Sequence, residues 1–382
     1  TPIEHFVVLM QENHSFDNYF GTYPGADGIP DGTCMPIGRR ARPCVPPFHL
    51  GGRPVPDLGH DRRTYRLQYA RGRMDGFVRA ASIDRQTVER SVMGYYDDRD
   101  LPFYWNVADE YVLFDRFFAA TATGSVASHM LWVTGTPGAP DETLGNLPTI
   151  FDRLDERGIS WKFYVEDYDP REAAQAVRVP LVASPRYVED PTRFDRIVDL
   201  EEYYEDLRSG DLPDVAYIAP AGSSEHPPGS IQAGQRFVRN LINALMRSSA
   251  WKSSAFSWTY DDWGGFYDHV RPPRVDPYGY GFRAPALLVS PYAKRGHIDS
   301  TTLDFPSMLK FVEENWNLKP LSVRDRQSAG LASAFDFAAP PRAGTLLSWT
   351  WPAPKVRAAT NSPTPVIYSV YGAAAALAIA IV

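Results

Sequence analysis

Five short apolar runs punctuate the chain: FVVLM at 6–10, WKFYV at 161–165, VAYIA at 215–219, AFSWTY at 255–260 and ALLV at 286–289. Continuous apolar stretches of this length, rich in β-branched and aromatic residues, read as strands buried on both faces. Between them the hydrophobic period changes. Val238, Leu241, Ile242 and Leu245 share one helical face, as do Met308, Leu309, Val312 and Trp316 behind a capping Asp304. Buried strands separated by helices predict an α/β fold, a three-layer α/β/α sandwich with a mostly parallel central sheet. In such a fold the chemistry collects at the carboxyl ends of the strands.

The residues just past the strand ends carry that chemistry. The first run leads into QENHSFDNYFG and the fourth into DDWGGFYDHV. A carboxylate directly after a buried strand is costly unless paired or bound to a cation. Glu12, Asn13, Asp261 and Asp262 together offer hard oxygen ligands with no sulfur, which suits a divalent metal ion. Loop capping and turn formation are the alternative use of the same residue types. The segment TATGSVASH at 121–129 precedes a short apolar stretch. A hydroxyl there, Ser125 or Thr123, either stands at a helix N-terminus that favours an anion or caps the helix. His60 in DLGH and His226 in EHPP sit in Gly/Pro loops. His14 and His269 lie inside the two acidic motifs, and His5, His49, His129 and His297 have no distinguishing context.

Composition narrows the picture. With 44% hydrophobic and 22% charged residues the chain is globular rather than disordered, and its net charge of −7 argues against a nucleic-acid partner. The 34 prolines and 21 tyrosines imply long ordered loops. Two of them, 95–105 and 278–282, are aromatic enough to face lipid, with ordinary loop packing as the alternative. Two cysteines exclude a disulfide framework and a cysteine-built zinc site. Cys34 and Cys44 either form one bond, which favours an oxidising compartment, or stay free thiols. No charge occurs after Arg357, and residues 366–382 are nearly all apolar. A 17-residue helix there would be about 25 Å long, close to the bilayer core. It reads as a membrane anchor behind a TNSPTP stalk, against a buried Ala-rich helix. This divides the chain into a catalytic domain (1–350), a linker (351–365) and the anchor (366–382).

The motifs QENHSFDNYFG, DLGH, EHPP and TYDDWGGFYDHV, in that order, resemble the phosphoesterase family of non-specific phospholipases C and related acid phosphatases. GISWKFY at 158–164, LPDVAYIAP at 212–220, APALLVSPYAKRG at 284–296 and FDF at 335–337 extend the resemblance over residues 1–340. It implies an alkaline-phosphatase-like fold and an exported enzyme, here tethered to the outer face of the cell membrane. It also implies one divalent metal ion held by Glu12, Asn13, Ser125, Asp261 and Asp262. Ser125 would be the nucleophile of a phosphoseryl mechanism. His60, His226 and His269 would bind phosphate, the last two also acting as acid and base. The substrate implied is a phospholipid or small phosphate ester. A phospholipase C reading leads, an acid phosphomonoesterase comes second, and an inactive binding protein is the reading of another class.

The chain departs from the family at four places. Asp262 stands where Glu is usual, and Ser125–His129 replaces Ser/Thr-x-Pro-Asn-Arg. Ser223-Ser224 replaces an Asp-rich pair before EHPP. Asp304 begins a segment where a histidine is expected.

Overall fold

Among the residues described by the computed structural model (1–38, 43–83, 87–136 and 144–352), eight strands form the central sheet. They are β1 (His5–Gln11), β2 (Val112–Phe114), β3 (Trp161–Val165), β4 (Ile197–Asp199), β5 (Val215–Ala219), β6 (Ser254–Tyr260), β7 (Ala286–Val289) and β8 (His297–Asp299). Their order is β8-β2-β7-β6-β1-β5-β3-β4. Only β7 runs against its neighbours, β6 and β2. The five apolar runs are all strands. The three strands not foreseen are three residues each, too short to show a period.

Helices on the two faces of the sheet include α1 (Pro102–Glu110), α2 (Ser125–Thr134), α3 (Ile150–Arg157), α4 (Glu201–Ser209), α5 (Ile231–Arg247) and α6 (Phe305–Asn315). The period of two along each strand sends alternate side chains to opposite layers. Val8, Tyr217 and Phe163 are in register and share a face. Trp132 of α2 lies 4.6 Å from the Tyr217 ring. Phe151 of α3 lies 4.9 Å from that same ring. Phe311 of α6 sits 4.8 Å from Phe6 on this face. On the opposite face Tyr104 of α1 meets Trp258 at 5.6 Å, and Tyr203 of α4 meets Tyr164 at 5.5 Å. The Tyr203 hydroxyl donates to the Leu241 carbonyl of α5. Val238, Leu241, Ile242 and Leu245 are all buried as their spacing predicts, while Trp316 falls one residue beyond α6.

Asp304 is the N-cap of α6 in a reciprocal capping box with Ser307, and it pairs with Arg324 at 3.1 Å. At this position, where the family resemblance implies a histidine, the aspartate is thus a helix-capping residue. Cys34 and Cys44 are bonded, with Cα atoms 5.5 Å apart. In the 95–105 loop Tyr96, Phe103, Tyr104 and Trp105 are buried, so that loop packs rather than faces lipid. No described helix is long and apolar enough to cross a membrane. The TNSPTP stretch and the apolar segment 366–382 lie outside the described residues.

Candidate active site

The site begins with strand register. Adjacent β1 and β6 run parallel with Gln11 opposite Tyr260, so the next residues on each, Glu12 and Asp261, emerge side by side. The Asp261 amide donates to the Gln11 carbonyl at 2.9 Å and the Glu12 amide to the Ser224 carbonyl at 3.0 Å. The second of these ties in the loop after β5, which carries His226. Asn13 then turns into the left-handed region (φ 64°) and its amide donates to Asp261 Oδ1 at 2.8 Å. The turn needs Gly264 opposite, because a Cβ there would lie 2.0 Å from the Asn13 carbonyl oxygen. With its side-chain nitrogen toward Asp261 (3.0 Å), Asn13 presents its amide oxygen to His226 Nε2 at 2.9 Å. The same end of that amide lies 3.4 Å from His60 Nε2.

Three carboxylates, Glu12, Asp261 and Asp262, are thus buried within one cluster. Burial, and then Asp261, push the Glu12 carboxyl up, against His129 and Arg178. Arg178 Nε lies 3.0 Å and His129 Nε2 3.6 Å from the same Glu12 oxygen. Burial and Asp261 likewise push Asp262 up. The His60 imidazolium opposes that pressure, and Asp262 in turn lifts His60 to about 9. One Asp262 oxygen accepts from the Gly264 amide at 2.7 Å, while Oδ2 is buried with no hydrogen-bond partner. A buried oxygen with no partner, set among repelling carboxylates, makes this cluster a candidate cation site. The donor set of carboxylate and amide oxygens fits a divalent metal ion.

The third component is the start of α2. Its N-cap is Gly124, with no side-chain cap. The first intrahelical bond, Ser128 N–H to the Gly124 carbonyl, leaves the amides of Ser125, Val126 and Ala127 without helical acceptors. A Cβ on Gly124 would lie 3.3 Å from His60 Cδ2 and 3.9 Å from Asp262 Oδ2, so the helix begins directly against the acidic cluster. Ser125 is its first residue, and its hydroxyl makes no hydrogen bond among the described residues, so it does not cap the helix. A cavity of about 520 Å³ opens here, lined by Asp57 to Asp61 and Thr123 to Ala127. His60 Nδ1 is held by the Leu58 carbonyl at 2.8 Å and His226 Nδ1 by the Pro227 carbonyl at 2.8 Å, which turns both Nε2 atoms toward Asn13.

Glu12, Asn13, Ser125, Asp261, Asp262, His60 and His226 therefore converge. His269 does not join them. Its Nδ1 meets Asp17 at 2.8 Å and its Nε2 meets Asp27 at 3.2 Å, in a separate ion-pair network around the buried Arg283. Gly264 and Gly265, both at positive φ, carry the chain away from the cluster before His269 is reached. His14 is also apart, buried on Asn18 and the Glu225 carbonyl, and burial lowers it to about 4. Three participants were not foreseen. His129 groups with Glu12 and Asp261, with candidate ligand atoms within 4.8 Å of one another. Its signal was the spacing of four from Ser125, one helical turn. Arg178 had none. Glu225, beside His226, is buried against three tyrosine hydroxyls.

Comparison with known proteins gives the family. Residues 3–319 match the phosphoesterase family model. Phospholipase C A of Mycobacterium tuberculosis is 28% identical over 415 residues, covering 89% of this chain and 78% of that protein. The non-hemolytic phospholipase C of Pseudomonas aeruginosa is 27% identical over 410 residues, covering 88% of this chain and 58% of its own length. A protein of the alkaline phosphatase superfamily from Vibrio parahaemolyticus overlays 87% of this chain and 72% of its own, at 14% identity and a TM-score of 0.46, too loosely to carry an argument. The matched segment contains every residue of the cluster, and the chain belongs to the phosphoesterase family: it is a phosphoric ester hydrolase.

Proposed function

We propose that the chain hydrolyses phosphodiesters in the manner of a phospholipase C, through a phosphoseryl intermediate on Ser125. The observation that carries this is the start of α2 against Asp262 and His60. It sets an unbonded hydroxyl, free helix amides and an imidazolium around one cavity. Glu12, Asn13, Asp261 and Asp262 would hold the divalent ion, which when bound supplies positive charge that favours the ionised hydroxyl and the phosphoryl oxygens. Ser125, its hydroxyl proton released to solvent, attacks phosphorus in line through Oγ, forming the Oγ–P bond as the bond to the departing alcohol breaks, and Oγ takes a proton back from solvent when water cleaves the phosphoserine. The free amides of α2 and the His60 imidazolium take the charge on the equatorial oxygens. His226 gives its proton to the departing alkoxide and then takes one from the water that cleaves the phosphoserine.

The test is paired hydrolysis of p-nitrophenylphosphorylcholine and p-nitrophenyl phosphate. Faster release from the diester is expected, and faster release from the monoester would make the enzyme a phosphatase. A chelator should reduce turnover by at least about 10²-fold, with recovery on adding a divalent ion. Full activity in chelator would remove the metal role. His226→Ala should lower kcat by about 10²-fold. His269→Ala should leave kcat within about threefold and cost stability instead, because its ring serves carboxylates. Equal losses of kcat in both variants would return His269 to the site.

The Cys34–Cys44 bond supports an exported enzyme, and phospholipid is the substrate class that the relatives support.

A further inference from the structure

Beside the catalytic cavity runs a second cleft. Its walls continue the catalytic ones by one residue on each side, Arg62 after Asp61 and Ala122 before Thr123. It holds about 260 Å³, and its charged lining is Arg62, Arg66 and Arg274 together with Asp276, which is itself paired with Arg324 at 3.1 Å. All three lining arginines are exposed, and no carboxylate among the described residues pairs with them. Three unpaired arginines on one cleft are notable in a chain of net charge −7. The cleft shares Tyr278 with a larger groove of about 530 Å³, where Val275 and Val323 stand on the rim. These residues are 50%, 46% and 57% exposed, respectively. Three exposed apolar side chains thus stand together beside the basic cleft, where one surface would cover them all. Of the aromatic segment 278–282, only Tyr278 is exposed, while Tyr280 and Phe282 are buried.

We propose that this face docks on an anionic phospholipid bilayer. Arg62, Arg66 and Arg274 would meet headgroup phosphates, and Val275, Tyr278 and Val323 would enter the interface. The occupant is argued from the charge of the cleft, from the aliphatic and tyrosine side chains on its rim, and from its continuity with the cavity that would take the headgroup ester. Arginine attraction to an anionic surface and insertion of apolar side chains are the two contributions that bind interfacial proteins. The proposal rests on the phospholipid reading above and adds a surface that the catalytic groups do not include.

The test uses the full chain with two vesicle types, pure phosphatidylcholine and phosphatidylcholine containing phosphatidylglycerol, read by co-sedimentation. Residues 358–382 carry no charge, so any binding through them is common to both vesicle types, and the ratio of the two affinities isolates the arginines. The ratio should fall about fivefold for each arginine replaced by alanine. Tyr278→Ser should weaken binding to both vesicle types, while hydrolysis of soluble p-nitrophenylphosphorylcholine is unchanged in every variant. A triple arginine variant that keeps the wild-type ratio, or a wild-type chain with no preference for the anionic vesicles, would overturn the proposal. Arginine-dependent vesicle binding in a chain inert toward the soluble diester would sink the phosphodiesterase reading and leave the docking surface standing.

Discussion

Ser125→Ala should lower kcat on a chromogenic phosphodiester by on the order of 10⁴-fold or more while the fold is retained. Loss of an attacking atom is not made good by its neighbours, because the remaining groups only bind and polarise the ester. The substitution is benign to the fold. Ser125 is half-exposed at the first position of α2, its hydroxyl bonds nothing among the described residues, and alanine is the better helix former. Thermal midpoint should therefore shift by no more than about 2 °C. A second readout separates chemistry from binding: brief incubation of wild type with a phosphorus-labelled ester, quenched in acid, should leave label on Ser125, and the variant should take none. Of the other hydroxyls, Ser128 is wholly buried and cannot replace it. Thr123 lines the same cavity, and label on Thr123 would move the nucleophile there.

The site was legible in sequence wherever its geometry is set by strand ends. Glu12 and Asp261 each come directly after a strand, so two parallel neighbours in register must bring them together, and an apolar run ending in an acid is visible without coordinates. His226 lies seven residues past the end of β5 and was found from its Gly/Pro loop instead. His60 was found from its Gly/Pro loop, although its charge comes from Asp262, to which no local pattern connects it. His269 misled because it shares a motif with Asp261 and Asp262. Nearness along the chain is not nearness in space when two glycines at positive φ reverse the path between. His129 was hidden for the opposite reason. It belongs to the helix of Ser125, and only the direction in which that helix enters the cluster gives its spacing of four any meaning. The fold shows the same division. Buried strands of four to seven residues announce themselves, whereas β2, β4 and β8 owe their conformation to pairing with neighbours. That β7 is antiparallel lies in its connections, which local hydrophobicity does not encode.

Glu225→Ala should be the most destabilising single change near the site, by about 4 kcal/mol. The carboxylate is 1% exposed and accepts hydroxyls from three elements: Tyr19 at 2.5 Å, Tyr104 of α1, and Tyr260 of β6 at 2.8 Å. Helix α5 is shaped to admit it, since a Cβ on Gly234 would lie 2.1 Å from Glu225 Oε1. Truncation leaves three buried hydroxyls without an acceptor and a void between helix and sheet. Glu225→Gln separates charge from shape. Burial raises the Glu225 carboxyl from 4.5 to about 7, against the three tyrosine donors. The folded state then holds this proton more tightly than the unfolded chain does. The contribution of Glu225 to stability is therefore full below pH 4.5 and declines as pH rises to about 7. Over that interval the decline is worth about 3 kcal/mol. Urea unfolding at pH 5 and pH 8 should show the glutamine variant losing less stability than wild type between the two, and equal slopes would mean that the carboxylate is already ionised at pH 5. Because Glu225 precedes His226 and stands at positive φ (66°), a chain that survives Glu225→Ala should also lose kcat. The buried carboxylate would then position the imidazole by holding the loop that carries it, without touching substrate.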